Sequence, residues 1–393
     1  AQAELTALWS LHPRTRPPRL LVLPAMRVAI GTDCSGMETP IMALKNLGVE
    51  VDHLFSCDVN KNVKKTIMAN FPPKVWFDDL TQRDNTKSPK ADMYVAGFPC
   101  QPFSSAGLQQ GFGDARGRGE IFWYVRDYIQ KKGPKVFVLE NVSGLVKING
   151  GEYYRAIVQA LEALGNYNIY HQLMNTKDHG LPQNRKRVYF IGIKKSLDDG
   201  TFKFPEQVEK PSIELFLEPR KGRPSHADLP PATATTARKS LRQALKDIEK
   251  KGSDPLKEAF LVDIDSSTYR SSYQRDTLPC MTCGRSGGHW VTNRGRRVTK
   301  QEMMRLQGID PSTFKVDVSE CQLGRQIGNA MSVNILERLF ARILPAAGMV
   351  PHGSVADRWK TGKPPAALTS AGAKRRAASA AVGTRKRARV ARV

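Results

Sequence analysis

The stretch "MRVAIGTDCSGMETPIMALKNLG", residues 26–48, reads as strand, turn and helix in one pass. "MRVAI" is a short apolar run of the kind that fills a strand buried on both faces. "GTDCSG" supplies a glycine-containing turn. "METPIMALKNLG" carries apolar residues at helical spacing and stops at Gly48. The unit then repeats: "VDHLFSCD" as strand, "NKNVKKTIMANF" as helix before Pro72-Pro73, and "ADMYVAGF" as strand. "RGEIFWYVRDYIQKKG" follows as helix, "PKVFVLENV" as strand and "GEYYRAIVQALEALG" as helix. "YNIYHQLMN" and "RVYFIGI" are two further strands. Apolar strands alternating with amphipathic helices predict an α/β domain built on a mainly parallel sheet with both faces covered.

The rhythm stops over residues 201–293, which are rich in Pro, Ser, Thr and Arg and hold one helical stretch, "KSLRQALKDIEKKG". This is the composition of an inserted lobe that carries recognition. Helical patterns resume within 294–345. Residues 346–393 turn to Ala, Gly, Pro and Arg and read as a disordered basic tail. Residues 1–25 lack periodicity and read as a leader or disordered segment. The first part of the main domain is thus 26–200.

Lys and Arg number 61 against 37 Asp and Glu, a net charge of +24. Eleven of the basic residues lie from Arg358 onward, where no acid remains, but a comparable excess sits in residues 27–357. A basic body as well as a basic tail points to a polyanionic partner, nucleic acid first. No apolar run reaches membrane-spanning length. The six cysteines are scattered rather than framework-like, which suits a reducing compartment. Cys280 and Cys283 form a lone CxxC with His289 nearby; two ordinary loop thiols are the better reading than a zinc site, and no metal is expected.

In open parallel sheets ligands bind beyond the carboxyl ends of the strands. Asp33, Cys34, Ser35 and Gly36 follow the first strand, Asp58 the second, and Asp78 and Asp79 the third. Pro99, Cys100 and Gln101 follow the fourth, and Glu140 and Asn141 close the fifth. An acid at the second strand end suits ribose hydroxyls, one at the third an adenine amine, and a glycine turn at the first permits close backbone approach. With neither GxxxxGKS nor GxGxxG present, this is a nucleoside site without phosphate-binding chemistry.

"GFPCQPFS", "VLENVSGL", "QNRKRVYFIG", "RRVTKQEMMRLQG" and "GRQIGNAMSVNI" stand in the order seen in DNA (cytosine-5) methyltransferases, and the chain resembles that family over about residues 27–343 apart from the insertion. The resemblance implies a Rossmann-like methyltransferase mixed sheet, S-adenosylmethionine as methyl donor, and a target-recognition domain at 201–293. It implies Cys100 as the nucleophile that adds to cytosine carbon 6, making carbon 5 electron-rich enough to take a methyl group. Glu140 would hydrogen-bond the N3 and 4-amino edge, and Arg185 the 2-carbonyl or thiolate region. Such attack requires a base flipped out of the stack.

Cofactor contacts implied by the resemblance are Cys34, Ser35, Gly36, Met37, Asp58, Val59, Asp79, Leu80, Pro99 and Asn329. Substrate contacts are Gln101, Ser104, Asn141, Gln183 and Arg187, with Arg116 and Arg118 on a glycine-rich loop that could meet phosphates. In the insertion, Arg270, Arg275, Arg285 and Arg294 are candidates for reading guanine edges.

The chain departs from the family pattern in its first motif. Cys34 takes the usual aromatic position, Glu38 and Thr39 take later glycine positions, and Asp33 is one place out of register. Val59 stands where an adenine-stacking aromatic often follows the second acid. The expected substrate is double-stranded DNA, acted on by a monomer. A transfer-RNA cytosine-5 methyltransferase of the same fold is the second reading. Ser104 replaces the Thr usual in that branch, and the Cys-Phe-Thr signature is missing. A non-catalytic DNA-binding regulator would not require Cys100, Glu140 and Arg185 together. "KRR" at 374–376 and "RKR" at 385–387 resemble a nuclear-import signal, giving the nucleus as the expected location, or the cytoplasm for a prokaryotic source.

Overall fold

The computed structural model describes residues 26–99, 120–220, 222–266 and 272–372. The opening stretch forms β1 (Arg27–Asp33) and α1 (Thr39–Asn46), followed by β2 (Glu50–Cys57), α2 (Lys61–Asn70), β3 (Val75–Phe77) and β4 (Met93–Ala96). Next come α3 (Ile121–Lys132), β5 (Val136–Val142), α4 (Glu152–Glu162), β6 (Tyr167–Asn175), β7 (Gln183–Asn184) and β8 (Lys186–Lys194). The main sheet runs β3-β2-β1-β4-β5-β8-β6. Its first five strands pair in parallel, and β8 is antiparallel to both β5 and β6. This is the expected α/β architecture with a mixed sheet. The short connection between β6 and β8 holds no crossover α-helix, and the two strands turn back on each other as an antiparallel pair.

Strand order reverses at β1, which pairs with β2 on one side and β4 on the other. Asp33 and Ala96 are register partners at the carboxyl ends. The turn after β1 and the approach to Cys100 therefore open into the same crevice, the place where such sheets bind ligands.

The insertion contributes α5 (Thr235–Lys250), β9 (Phe260–Val262), β10 (Tyr273–Arg275), β11 (Leu278–Pro279), β12 (Trp290–Val291) and β13 (Arg296–Arg297). Strands β10-β9-β12-β13 make a small sheet, and Leu241, Leu245, Val262, Ile264 and Trp290 give the lobe its own core. β13 carries this sheet past residue 293, whereas Phe202, Ile213, Phe216 and Leu217 pack into the main core. β11 pairs with β7, Leu278 opposite Gln183 and Pro279 opposite Asn184, and so stitches the end of the lobe to the main domain.

The chain ends its described part with α6 (Lys300–Leu306), α7 (Glu320–Asn329), α8 (Val333–Ala346) and a coil. α6 begins with a capping box, Thr299 and Glu302 each satisfying the other's backbone N–H. α8 is buried on nearly every face and packs along α1. Its burial explains a correction to the reading of residues 346–393 as a disordered tail. Residues 346–372 are placed on the body, with Trp359 fully buried. Trp359 Nε1 donates to Glu337 at 2.8 Å, Arg358 pairs with Glu337, and Arg338 pairs with Asp357 at 2.9 Å. One aromatic anchor and these ion pairs hold a segment whose average composition is that of a linker.

Candidate active site and its relatives

The β1 turn is built from two left-handed residues, Cys34 (φ 52°) and Gly36 (φ 57°), and Glu38 (φ 55°) follows in the same region. A side chain in that conformation is uncommon and needs support from its surroundings. Glu38 has it. Its buried carboxylate accepts hydrogen bonds from Thr32 and Ser56 hydroxyls, each at 2.6 Å. The acid replacing a family glycine thereby ties the ends of β1 and β2 beneath the turn.

Ser35 does similar work: its hydroxyl accepts from the Cys57 N–H at 3.0 Å, and its own N–H donates to the Cys57 carbonyl. Met37 is sealed in the core. Asp33 is spent elsewhere, in a buried bidentate pair with Arg83 at 2.6 Å that also receives the Tyr94 hydroxyl. The rings of Phe55, Phe77 and Tyr128 surround that guanidinium.

The residues present fit a nucleoside cofactor. Asp58 ends β2 and accepts the Gly36 and Asn60 N–H groups at 3.2 and 2.9 Å. Burial pushes its carboxyl upward, and those two donors act against the rise. Asp79 accepts the Thr81 N–H and hydroxyl, both at 2.8 Å, with Leu80 buried behind it. A cavity of about 800 Å³ lies between Val59, Met68, Lys64, Asp78 and Asp317. Val59 is 74% exposed at its mouth. Asn329 is exposed at the end of α7, and Pro99 is half-buried at the end of the described strand segment.

Cys100, Gln101, Ser104, Arg116, Arg118 and Arg270 lie outside the described residues. The described segment that precedes Cys100 is held closely. A β-carbon built on Gly97 would stand 2.9 Å from Met331 Cε and 4.0 Å from Glu140 Oε2, so the glycine lets the strand leading to Cys100 pass close by Glu140. Asn141 is fully buried and donates to the Phe98 carbonyl at 3.3 Å, fastening the same approach.

The arginines divide differently from the sequence reading. Glu140 is the register partner of Tyr189, and Arg187, two residues before Tyr189, shares its face of the sheet. Arg187 Nε lies 3.0 Å from Glu140 Oε1. Arg185 sits in the break between β7 and β8, where its side chain turns away and is almost completely buried. It donates to the carbonyls of Met281 (2.7 Å), Gly328 (3.1 Å) and Ala330 (2.8 Å). The side chain expected at the base is thus the strut between lobe, α7 and sheet, and Arg187 is the one beside Glu140.

Gln183 works with this strut, donating to the Leu306 carbonyl and the Gln307 side chain, both at 2.8 Å. Gly328 contributes by having no side chain. A β-carbon there would stand 2.3 Å from the Thr282 carbonyl carbon, and one on Gly324 would stand 2.2 Å from Ser286 O. Spaced four apart on one face of α7, both glycines let the 282–286 turn lie directly on the helix.

In the lobe, Arg275 pairs with Glu258, Arg285 with Asp263 and Arg294 with Glu214. Arginines expected to read bases are therefore held by acids of their own lobe. Among the described residues, no group of three or more His, Cys, Asp or Glu side chains is placed to hold a metal ion. No helix of the described residues is long and apolar enough to cross a membrane.

Comparison with known proteins shows the family and the fold. The family described as C-5 cytosine-specific DNA methylase matches residues 34–345. The type II methyltransferase M.NgoBI of Neisseria gonorrhoeae is 33% identical over 290 residues, covering 72% of this chain and 84% of that protein. M.HaeII of Haemophilus aegyptius is 32% identical over 298 residues, 76% and 87% of the two chains. Among solved structures, the Entamoeba histolytica methyltransferase EhMeth superimposes with a TM-score of 0.59 at 16% identity, over 81% of this chain and 98% of its own. The S. pombe Dnmt2 methyltransferase gives 0.53 at 16% identity, over 81% and 98%. With five motifs in order, a crevice at the strand reversal and this match across most of its length, the chain belongs to the C-5 cytosine-specific DNA methylase family and is a DNA cytosine-5 methyltransferase.

Proposed function

We propose that the chain methylates cytosine in double-stranded DNA through a covalent bond between Cys100 and carbon 6 of a flipped-out base. The observation that carries this is the Glu140–Arg187 pair, set against Gly97 three residues before the thiol. S-adenosylmethionine, implied by the family, supplies the electrophilic methyl group when bound; Asp58, Asp79, Val59, the Cys34–Gly36 turn and Asn329 would hold it. Glu140 holds or donates a proton at the N3 edge of the ring, so that charge entering with the sulfur spreads onto nitrogen. Arg187 fixes that carboxyl and presents its remaining N–H groups to the base. Arg185, Gln183 and Asn141 keep the three walls in place. The lobe at 201–293 would read the sequence around the target. Its arginines would exchange acidic partners for base edges or phosphates, a swap that favours the polyanion only when contacts are well matched.

DNA is favoured over transfer RNA by the type II methyltransferases among the relatives. Their bacterial origin fits the cytoplasm better than the nucleus. The two basic clusters that suggested nuclear import lie outside the described residues. Methyl groups from radiolabelled S-adenosylmethionine should enter duplex DNA, and Cys100→Ser should abolish the transfer. Duplexes carrying 5-fluorocytosine should trap a covalent complex with the unsubstituted enzyme. Methylation of transfer RNA with no adduct on any DNA would overturn the reading.

A further inference from the structure

Two guanidinium groups meet beside the site, and they are matched unequally. Arg187 has the Glu140 carboxylate. Arg185 is more deeply buried, yet among the described residues no carboxylate pairs with it. Its Nη atoms reach carbonyls, and its buried Nε has no hydrogen-bond partner. A cation withdrawn from water without a counter-charge is costly. The remaining group within reach is the sulfur of Cys280, 3.6 Å from Arg185 Nη1 and 3.9 Å from each Nη of Arg187. The pairing of β11 with β7 puts it there, by delivering Cys280 directly beside the Gln183–Arg185 segment. Cys280 as a residue is half-buried rather than sealed, and its sulfur also lies 3.4 Å from the Met281 carbonyl, to which a protonated thiol would donate.

We propose that Cys280 is held as a thiolate, the counter-ion of Arg185, and is therefore a modification site for small disulfides and other soft electrophiles at the edge of the base pocket. Burial alone would raise its pKa. Arg185 and then Arg187 outweigh that and bring it below the ordinary thiol value. The charged groups facing it are Arg185, Arg187 and, across Arg187, Glu140. With a small disulfide, the Cys280 sulfur bonds to one half and the other half leaves as thiolate; the Cys280 proton has already gone to solvent. The product is neutral and bulkier. It removes the counter-charge of Arg185 and crowds Arg187, so base capture stops until a reducing thiol reverses the exchange. The inhibitory part rests on the DNA reading above; the thiolate itself does not.

The test uses the full chain carrying Cys100→Ser, so that the proposed nucleophile cannot react. Alkylation by iodoacetamide, followed at each cysteine by peptide mass spectrometry across pH, should show Cys280 reacting at lower pH than Cys283 and Cys321. Those two are the more exposed thiols, so exposure alone predicts the opposite order. Adding Arg187→Leu should move the Cys280 profile upward, so that alkylation reaches half its plateau at a higher pH. A Cys280 profile that coincides with that of Cys283 overturns the thiolate. Capping with a small disulfide should then weaken duplex DNA binding about tenfold or more, reversibly with dithiothreitol, and have no such effect once Cys280→Ser is added. Undiminished binding by the capped protein overturns the inhibitory role. Failure of the uncapped protein to bind any DNA would instead count against the DNA reading and leave the alkylation result standing.

Discussion

Arg187 Nε lies 3.0 Å from Glu140 Oε1, and only 11% and 10% of the two side chains remain exposed. Arg185, two residues away, bonds to three backbone carbonyls instead. On the reading proposed above Arg187 serves the chemistry, whereas Arg185 holds the framework, which separates their mutants. Glu140→Gln should lower kcat by about 10²–10⁴ with thermal unfolding near that of the parent, and Arg187→Leu by about 10²–10³ together with a loss of stability, because it leaves the Glu140 carboxylate buried and unpaired. Arg185→Met should cost about 3 kcal/mol of stability by leaving buried carbonyls unpaired. Urea unfolding beside single-turnover methyl transfer distinguishes the two outcomes.

Val59 is exposed beside the cavity lined by Lys64, Met68 and Asp78, and on the proposed reading the adenine of the cofactor would lie there without an aromatic cover. Val59→Trp should stack on the adenine and tighten S-adenosylmethionine binding by about 0.5–1.5 kcal/mol, up to roughly tenfold in Kd. Calorimetric titration checks this. Unchanged or weaker binding would place the adenine elsewhere.

Trp359 anchors the coil after α8, and its indole N–H satisfies the buried carboxylate of Glu337. Trp359→Ala should destabilise the protein by about 3–5 kcal/mol. Ending the chain at residue 350 should do so at least as strongly, because Glu337 and Arg338 then lose their partners. Denaturant midpoints measure both.

His179 gives a pH dependence. Arg338 donates to its Nδ1 at 2.7 Å, which requires a neutral ring. Burial, reinforced by the Arg338 charge, pushes its pKa down to about 4, against the pull of Asp178 and Asp357. Between about 6.5 and 4 the unfolded chain binds a proton that the folded chain refuses. This contribution is therefore complete above pH 6.5 and is lost as pH falls towards 4, by up to about 3 kcal/mol. His289, also pushed down to about 4 chiefly by burial, acts in the same direction. Unfolding free energy should be lower at pH 5 than at pH 7, and His179→Gln should flatten that difference.

The readable parts of the site were those fixed by local sequence. Glu140 lies two residues before the end of β5, Asp58 directly follows β2 and Asp79 stands two residues past β3, so each is placed by its own strand. The arginines were harder. "QNRKR" offers two with the same spacing on either side of a lysine, and nothing local says that β7 ends at Asn184 and leaves Arg185 in the break. The Arg275, Arg285 and Arg294 partners come from remote segments of the lobe, so their pairing had no local signature. Gly324 and Gly328 did carry a signal: glycines four apart inside a helix mark a close backbone approach.

Alternation of short apolar strands with amphipathic helices determines the α/β class by itself, because period and polarity are local properties of the chain. Motif order likewise determines the family. Tertiary structure decided which arginine meets Glu140, that Asp33 is spent on Arg83, that Glu38 can stand where glycine is usual, and that residues 346–372 pack on α8. Each depends on a partner brought from far along the chain, and the energy of a buried charge depends on that partner rather than on its neighbours in sequence.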